Sequence, residues 1–308
     1  MEGNLNIRAM IHDNIARKHN RADRIMPVFL LLMASVSILT TLGIVFTLVF
    51  DAAIFFGRVP FREILSTDLA PLNANNPTFG MLPLMVGTLF SSLIAMLVAV
   101  PVGLSAAVYL SQFASTRNRA ILKPMLEVLA GVPTIVYGFF AYSFVTPLLM
   151  KLIPSLGSKN VLSPGIVMGI MIIPMVASLS EDAMNAVPEA MREGALGMGS
   201  TKLEVAVKVV IPAAISGIIA SIVLGISRAI GETMIVAIAS GSNKHFSLDI
   251  TQSMQTMTGY IVEFTSGDAG SGTTGYYSLY AVGLILFLFT LGMNLVAQYV
   301  SRKYREVY

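Results

Sequence analysis

The chain has 308 residues, of which 55% are hydrophobic and only 12% are charged, and its formal net charge is +3. A soluble domain carries about 25% charged residues, so this composition excludes an ordinary soluble protein. Cysteine is absent, which excludes disulfides and thiolate chemistry, and the three histidines lack metal-ligand spacing. We therefore expect no metal, no cofactor and no nucleic-acid partner.

Long uncharged windows indicate helices that cross a membrane. A helix needs about 20 apolar residues to cross the ~30 Å hydrocarbon core. Uncharged windows of this length follow Arg24, Glu127, Lys159 and Asp268. The first span is too long for the 7–15-residue apolar core of a cleaved signal peptide, so we expect a retained anchor. We predict an all-α membrane protein with six spans, at about 26–50, 80–110, 124–152, 160–181, 212–241 and 276–300.

The distribution of basic residues predicts the orientation of these spans. If both termini are cytoplasmic, most of the 20 Lys and Arg residues fall on the cytoplasmic side, as the positive-inside rule requires. The predicted organisation is then a cytoplasmic segment, a first span with an outer loop, a core of five spans and a cytoplasmic tail, at 1–25, 26–78, 79–300 and 301–308. Within the core, the segment 182–212 forms a cytoplasmic loop.

The third predicted span contains a break and an acidic residue. Pro133 follows Gly131-Val132 and removes a backbone hydrogen bond, which neighbouring groups must replace in a membrane. Glu127 lies four residues after Lys123, near the edge of the span. Snorkelling or a pair with Lys123 accounts for this acid, and a transport role is the alternative.

The loop 182–212 carries start and stop signals for two short helices. Pro188 can open the first, and Gly197 or Gly199 can end it in a left-handed conformation. Thr201 and Glu204 form a capping box at the start of the second. We expect Pro212 to bend the chain back into the membrane. The second helix carries an apolar stripe that would complete a docking surface for a partner protein. The alternative is a solvated loop that binds no partner. The stripe consists of Leu203, Ala206, Val207 and Val210.

The fifth predicted span contains two charges. Arg228 and Glu232 are four residues apart, so we expect them one turn apart on a single helix face. An arginine within the membrane costs at least ~2.5 kcal/mol, and its forked guanidinium suits an oxyanion. The alternative is an intrahelical pair that only holds neighbouring helices. A stripe of small residues predicts close helix packing at Gly217, Ser221, Gly225 and Ala229.

The loop resembles the EAA loop of ABC-importer permeases. Glu193-Gly194-Ala195, then Gly199, then the run Val209–Pro212 reproduce the spacing of that motif, although Gly194 stands where the motif has alanine. The resemblance implies that Glu193, Gly194, Ala195, Gly199 and Pro212 couple this chain to a separate ATPase subunit. The glycines do not form a phosphate-binding loop, because the Gly-Lys-Ser/Thr order is absent.

Three of the predicted spans also resemble those of phosphate-importer permeases of the PstC type. The shared features are Arg228-Ala229-Ile230-Gly231-Glu232-Thr233 in the fifth span, Leu129–Gly138 in the third and Tyr276–Tyr280 in the sixth. The similarity extends over about 79–305. It implies a type-I ABC importer (MetI-like) fold in the cytoplasmic or inner membrane of a bacterium or archaeon. It also implies a substrate path through Arg228, Glu232 and Thr233.

The same resemblance implies the partners. These are a PstA-like permease, two PstB-like ATPase subunits, a PstS-like phosphate-binding protein, inorganic phosphate and the lipid bilayer. The chain itself is then not an enzyme. One alternative is a permease for sulfate or molybdate. A second is a stand-alone secondary transporter, a class that usually has inverted repeats. A third is an intramembrane enzyme, whose catalytic motifs are absent from the sequence.

Overall fold

The computed structural model describes residues 21–73, 75–268, 270 and 272–303. The predictions for residues 1–20 and 304–308, which include several of the basic residues used to orient the spans, lie outside this range. The chain divides into two compact units, residues 1–51 and 52–308.

The first described helix, α1 (Arg21–Arg58), begins in the first unit and ends in the second. Several of its hydroxyl side chains are satisfied within the helix. The hydroxyls of Ser35, Thr40 and Thr41 each donate to the carbonyl four residues earlier, at 2.8–2.9 Å. A membrane helix needs such internal partners because lipid offers none. The predicted first span is therefore confirmed as an apolar helix.

The second unit continues with one short helix, a two-stranded ribbon and a series of long helices. The strands are antiparallel, with Leu69 opposite Phe79 and Ala70 opposite Thr78. The first elements after α1 are α2 (Phe61–Ile64), β1 (Leu69–Ala70), β2 (Thr78–Phe79) and α3 (Leu82–Val108), which a π-helical turn extends over Tyr109–Phe113.

The remaining elements are helical. The central ones are α4 (Thr116–Ala130), α5 (Thr134–Phe140), a π-helical turn (Ala141–Val145), α6 (Thr146–Leu152) and α7 (Leu162–Asn185). The following ones are α8 (Glu189–Gly197), α9 (Lys202–Val205), a π-helical turn (Ala206–Val210), α10 (Ile211–Ala213) and α11 (Ile215–Ile230). The last ones are α12 (Met234–Ala239), α13 (Met257–Glu263), a π-helical turn (Phe264–Asp268) and α14 (Thr274–Lys303).

The described helices agree with the prediction of six spans. Five are long and apolar enough to cross a membrane: Ile25–Arg58, Leu82–Phe113, Thr134–Leu152, Leu162–Asn185 and Thr274–Val296. A sixth span results if Lys202–Ala213 and Ile215–Ile230, which meet at an angle of 72°, are taken together. The all-α membrane fold is confirmed.

Two predicted span boundaries are wrong. The third span begins at Thr134 rather than near 124, because the chain turns at Gly131–Pro133 and α4 is a separate helix. The fifth span is not continuous over 212–241, because α11 ends at Ile230 and α12 begins at Met234. In both places a short glycine-containing interruption redirects the backbone.

The centre of the second unit is the packing of α7 against α3 and α11. A Cβ added to Gly169 would lie 2.7 Å from the Ala95 carbonyl oxygen, so only glycine allows this approach of α7 to α3. A Cβ at Gly217 would overlap with the Cβ of Ala183 on α7. The predicted small-residue stripe on α11 is thus confirmed as a packing surface.

Candidate functional site

The interruption between α11 and α12 is built around Glu232. One of its carboxylate oxygens, Oε1, accepts hydrogen bonds from the backbone N–H groups of Thr233, Met234 and Ile235, at 3.0, 2.9 and 3.3 Å. The first N–H groups of a helix have no partner within it, and they carry partial positive charge. The buried carboxylate therefore stabilises the point at which the chain becomes helical again.

The first turn of α13 and the loop before it support the same interruption from the other side. The Thr258 hydroxyl donates to the Glu232 carbonyl at 2.8 Å, and the Thr88 hydroxyl on α3 accepts from the Met257 N–H at 2.9 Å. A Cβ at Gly87 would overlap with the Gln255 carbonyl, so the loop lies directly on α3. No local sequence pattern predicts these contacts, since they join residues far apart in the chain.

Arg228 lies in the last turn of α11 and its side chain is exposed. The prediction that Arg228 and Glu232 share one helix face is wrong, because the helix ends between them. Within the described residues, Arg228 forms no ion pair with Glu232 or any other acid. The guanidinium is within electrostatic range of the Tyr137 hydroxyl, which itself donates to the Leu129 carbonyl at 2.7 Å.

Arg228 lines a cavity of about 400 Å³ between α4, α7 and α11. Its walls are mostly apolar, with contributions from all three helices. Four charged residues also line it: Arg228 from α11, Glu181 from α7, and Lys123 and Glu127 from α4. Two cations and two carboxylates thus meet in one space, although up to about 100 residues separate them in the chain.

Glu181 is fully buried and is held by basic residues of α4. Its carboxylate lies 2.5 Å from Arg119 Nη2 and 3.4 Å from Lys123 Nζ, and Lys123 also lies 3.3 Å from Asp182. Burial of the ammonium group, which lowers its pKa, is outweighed by the carboxylates of Glu181 and Asp182, so the pKa of Lys123 is raised above its ordinary value. The two carboxylates therefore favour the charged form of Lys123 in this cluster.

Sequence reasoning missed Glu181 as a site residue, because its position at the end of the uncharged window that follows Lys159 indicates only the end of a span. The available signal was the i, i+4 spacing of Arg119 and Lys123 on an amphipathic helix. The predicted explanation of Glu127 also changes. Lys123 is engaged with Glu181 and Asp182, and Glu127 forms no ion pair within the described part of the chain.

The loop 182–212 folds as two short helices, as predicted. The first, α8, ends at a Schellman motif, in which the Gly199 N–H donates to the Leu196 carbonyl at 2.9 Å and the Ser200 N–H donates to the Ala195 carbonyl at 3.2 Å. Gly199 has φ +89°, a left-handed conformation that glycine adopts at no steric cost. A Cβ at Gly194 would meet no atom within 4 Å.

The second helix of the loop begins at the predicted capping box. The Thr201 hydroxyl accepts from the Glu204 N–H at 3.3 Å, and the Glu204 carboxylate accepts from the Thr201 N–H at 3.0 Å. The Thr201 backbone N–H and the Thr201 hydroxyl both donate to the Glu204 carboxylate at 3.0 Å, and with a smaller contribution from Lys208 they lower the pKa of Glu204 to about 2. The chain then continues through Pro212 and bends by 72° into α11, which confirms the predicted bend.

The apolar stripe predicted for this helix is only half right. Ala206 and Val210 are buried, but Leu203 and Val207 are exposed. The π-helical turn at Ala206–Val210 shifts the helical register, and Val205 takes part in the buried face instead.

The exposed face of the loop combines apolar side chains with charged ones, among them Glu189, Glu193, Lys202 and Lys208. Met198 is 88% exposed, and Leu196, Leu203 and Val207 are also exposed. Glu193 is exposed and forms no ion pair with a described residue. Arg192 ties α8 to the end of α7, because its Nη2 donates to the Met184 carbonyl at 2.5 Å. Apolar side chains presented on a fixed loop are typical of a protein-binding surface.

Comparisons with known proteins agree with this architecture. Residues 99–306 match the family described as "Binding-protein-dependent transport system inner membrane component". The phosphate transport system permease protein PstC of Xylella fastidiosa is 33% identical over 71% of this chain and 73% of its own length.

Two solved transporters share the fold. A bacterial ABC transporter for the import of alginate superposes with a TM-score of 0.64 at 13% identity, over 93% of this chain and 100% of its own. The MetNI methionine ABC transporter superposes with a TM-score of 0.56 at 14% identity, over 74% and 95%. This chain belongs to the inner-membrane components of binding-protein-dependent transport systems and, among these, to the PstC-type permeases.

Proposed function

We propose that this chain is the transmembrane permease subunit of an ATP-driven importer of inorganic phosphate. The observation that carries the proposal is Arg228, an arginine without an ion-pair partner among the described residues, at a cavity on the interrupted fifth span. A cation in this position needs a partner or a water-filled path. Similarity to the PstC protein supports phosphate as the cargo.

Phosphate would pass Arg228, whose guanidinium presents paired N–H donors to two phosphate oxygens. Glu232 and Thr233 would contribute to the path by holding the interruption between α11 and α12 in place. The carboxylate of Glu232 is occupied with three backbone N–H groups, which suits this positioning role.

Energy for transport would come from partner subunits. In this proposal both termini are cytoplasmic, and the loop 182–212 docks into a cleft of an ATPase subunit. Glu193, Gly194, Ala195, Gly199 and Pro212 form or shape the docking loop, and its exposed apolar side chains provide the contact. A second, PstA-like permease, two PstB-like ATPases and a PstS-like binding protein complete the complex.

The mechanism that follows is alternating access. ATP binding closes the ATPases, the docking loop moves with them, and the 72° bend transmits this motion directly to α11, which carries Arg228. The cavity then opens outward and receives phosphate from the binding protein. ATP hydrolysis returns the spans to their inward-open arrangement.

Uptake by the reconstituted complex tests the path. We expect Arg228→Gln to reduce phosphate uptake at least about tenfold, the loss of one charged hydrogen bond. Arg62→Gln removes the same charge from an exposed position of α2 and serves as the matched control. Unchanged uptake by Arg228→Gln at normal expression would refute the proposed path.

Copurification tests the docking loop. Glu193→Lys reverses the charge at one exposed position of the loop, and we expect it to release the ATPase subunits while the protein remains folded. Retention of the ATPases by this variant would contradict the proposed role of the loop.

A further inference from the structure

We propose that Glu127 is the residue that makes the cavity selective for a protonated oxyanion, hydrogen phosphate, over a fully deprotonated one such as sulfate. This inference rests on the proposed function and concerns the same cavity. It gives a specificity role to an acidic residue outside the fifth span and outside the loop 182–212.

The first step is the balance of charges in the cavity. Of the four charged residues that line it, Glu181 and Lys123 neutralise each other at 3.4 Å, with Arg119 as a further partner of Glu181. Glu127 and Arg228 remain, and neither forms an ion pair with a residue that the structure describes. The cavity thus offers one free guanidinium and one free carboxylate.

The second step is the chemistry that this pair accepts. A guanidinium only donates hydrogen bonds, and an ionised carboxylate only accepts them. The matching ligand carries negative charge and also a hydroxyl that can donate. Hydrogen phosphate has both features, whereas sulfate at neutral pH has no proton to donate and would meet the carboxylate with repulsion. An unfavourable contact with the wrong ligand is an efficient source of specificity.

The third step excludes the other carboxylates. The Oε1 atom of Glu232 already accepts three backbone hydrogen bonds, and this side chain does not line the cavity. Glu181 is fully buried and paired with two cations. Glu127 is exposed on α4, where the i, i+4 pair with Lys123 is not formed because Lys123 contacts α7.

Equilibrium binding provides the test, because it removes the contribution of the soluble binding protein. The purified permease–ATPase complex in nanodiscs is titrated with radiolabelled inorganic phosphate, and sulfate is added as competitor. In the wild-type complex we expect saturable phosphate binding with weak competition by sulfate. Glu127→Gln should improve competition by sulfate relative to phosphate about tenfold, equivalent to one charge-assisted hydrogen bond.

Three further variants separate the possible outcomes. Glu127→Asp keeps the carboxylate and should keep the preference for phosphate, whereas Asp68→Asn removes one exposed charge outside the cavity and should change nothing. Arg228→Gln should weaken binding of both anions at least about tenfold. If Arg228→Gln weakens binding in this way but Glu127→Gln leaves the sulfate-to-phosphate ratio unchanged, the role of Glu127 is refuted and the path stands. Normal phosphate binding by Arg228→Gln, or no saturable binding by the wild type, would overturn both.

Discussion

Replacing Glu181 with glutamine should release α4 from α7 locally, without unfolding the protein. Glu181 is fully buried and lies 2.5 Å from Arg119 and 3.4 Å from Lys123. At an effective dielectric constant of about 20, a charge pair at 3.4 Å is worth about 5 kcal/mol before desolvation is subtracted. Removing one partner of a fully buried pair costs about 3–5 kcal/mol.

The net cost here should be smaller than that range. The side chains of Arg119 and Lys123 are 41% and 31% exposed, so both cations regain water when Glu181 loses its charge. The glutamine amide oxygen also still accepts a hydrogen bond. We therefore expect a loss of about 2 kcal/mol in the free energy of opening α4, which accelerates its amide hydrogen exchange about 30-fold.

Hydrogen exchange followed by mass spectrometry measures this effect directly. Peptides from 116–130 should exchange faster in Glu181→Gln, while peptides from α14 serve as an internal reference. Lys208→Gln is the matched control, because Lys208 and Glu204 lie at a comparable 3.3 Å but are 72% and 44% exposed. Such an exposed pair is screened by water and contributes little, so exchange in α9 should change only about twofold. Equal acceleration in the two variants, or none in 116–130, would refute the argument that burial determines the strength of these pairs.

Three further predictions concern the loop and the packing of α11. Gly194→Ala should stabilise α8 by about 1 kcal/mol, because the added Cβ meets no atom within 4 Å. Gly199→Ala should instead destabilise the loop by about 1 kcal/mol, because the backbone at this position has a φ of +89°. Thermal unfolding measures both effects. Gly217→Leu should prevent assembly of a stable protein, detectable as loss of the monodisperse peak in gel filtration, because even a Cβ overlaps with α7. The pKa of Glu204 is lowered to about 2 in the folded protein. The stability that its ionised form contributes is therefore complete above the unfolded-state pKa of 4.5, and it disappears as the pH falls through about 2. An NMR titration that gives a Glu204 pKa near 4.5 would contradict the capping geometry.

The features that depend on residues close together in the chain could be predicted from the sequence. Uncharged windows determine the membrane class, because every backbone group of a helix is satisfied within the segment and lipid requires only apolar side chains around it. The capping box at Thr201 and the left-handed Gly199 are equally local, since each involves residues within about one helical turn. The bend after Pro212 follows from the same kind of information.

Which charged residues come together depends instead on the tertiary fold. Glu127, Glu181 and Arg228 come from three helices, and no periodicity in one segment can bring them into one cavity. The same holds for Glu232, whose expected position beside Arg228 assumed an unbroken helix. A buried carboxylate, three backbone N–H groups and the Thr258 hydroxyl stabilise the interruption instead, and these partners meet only when the chain has folded.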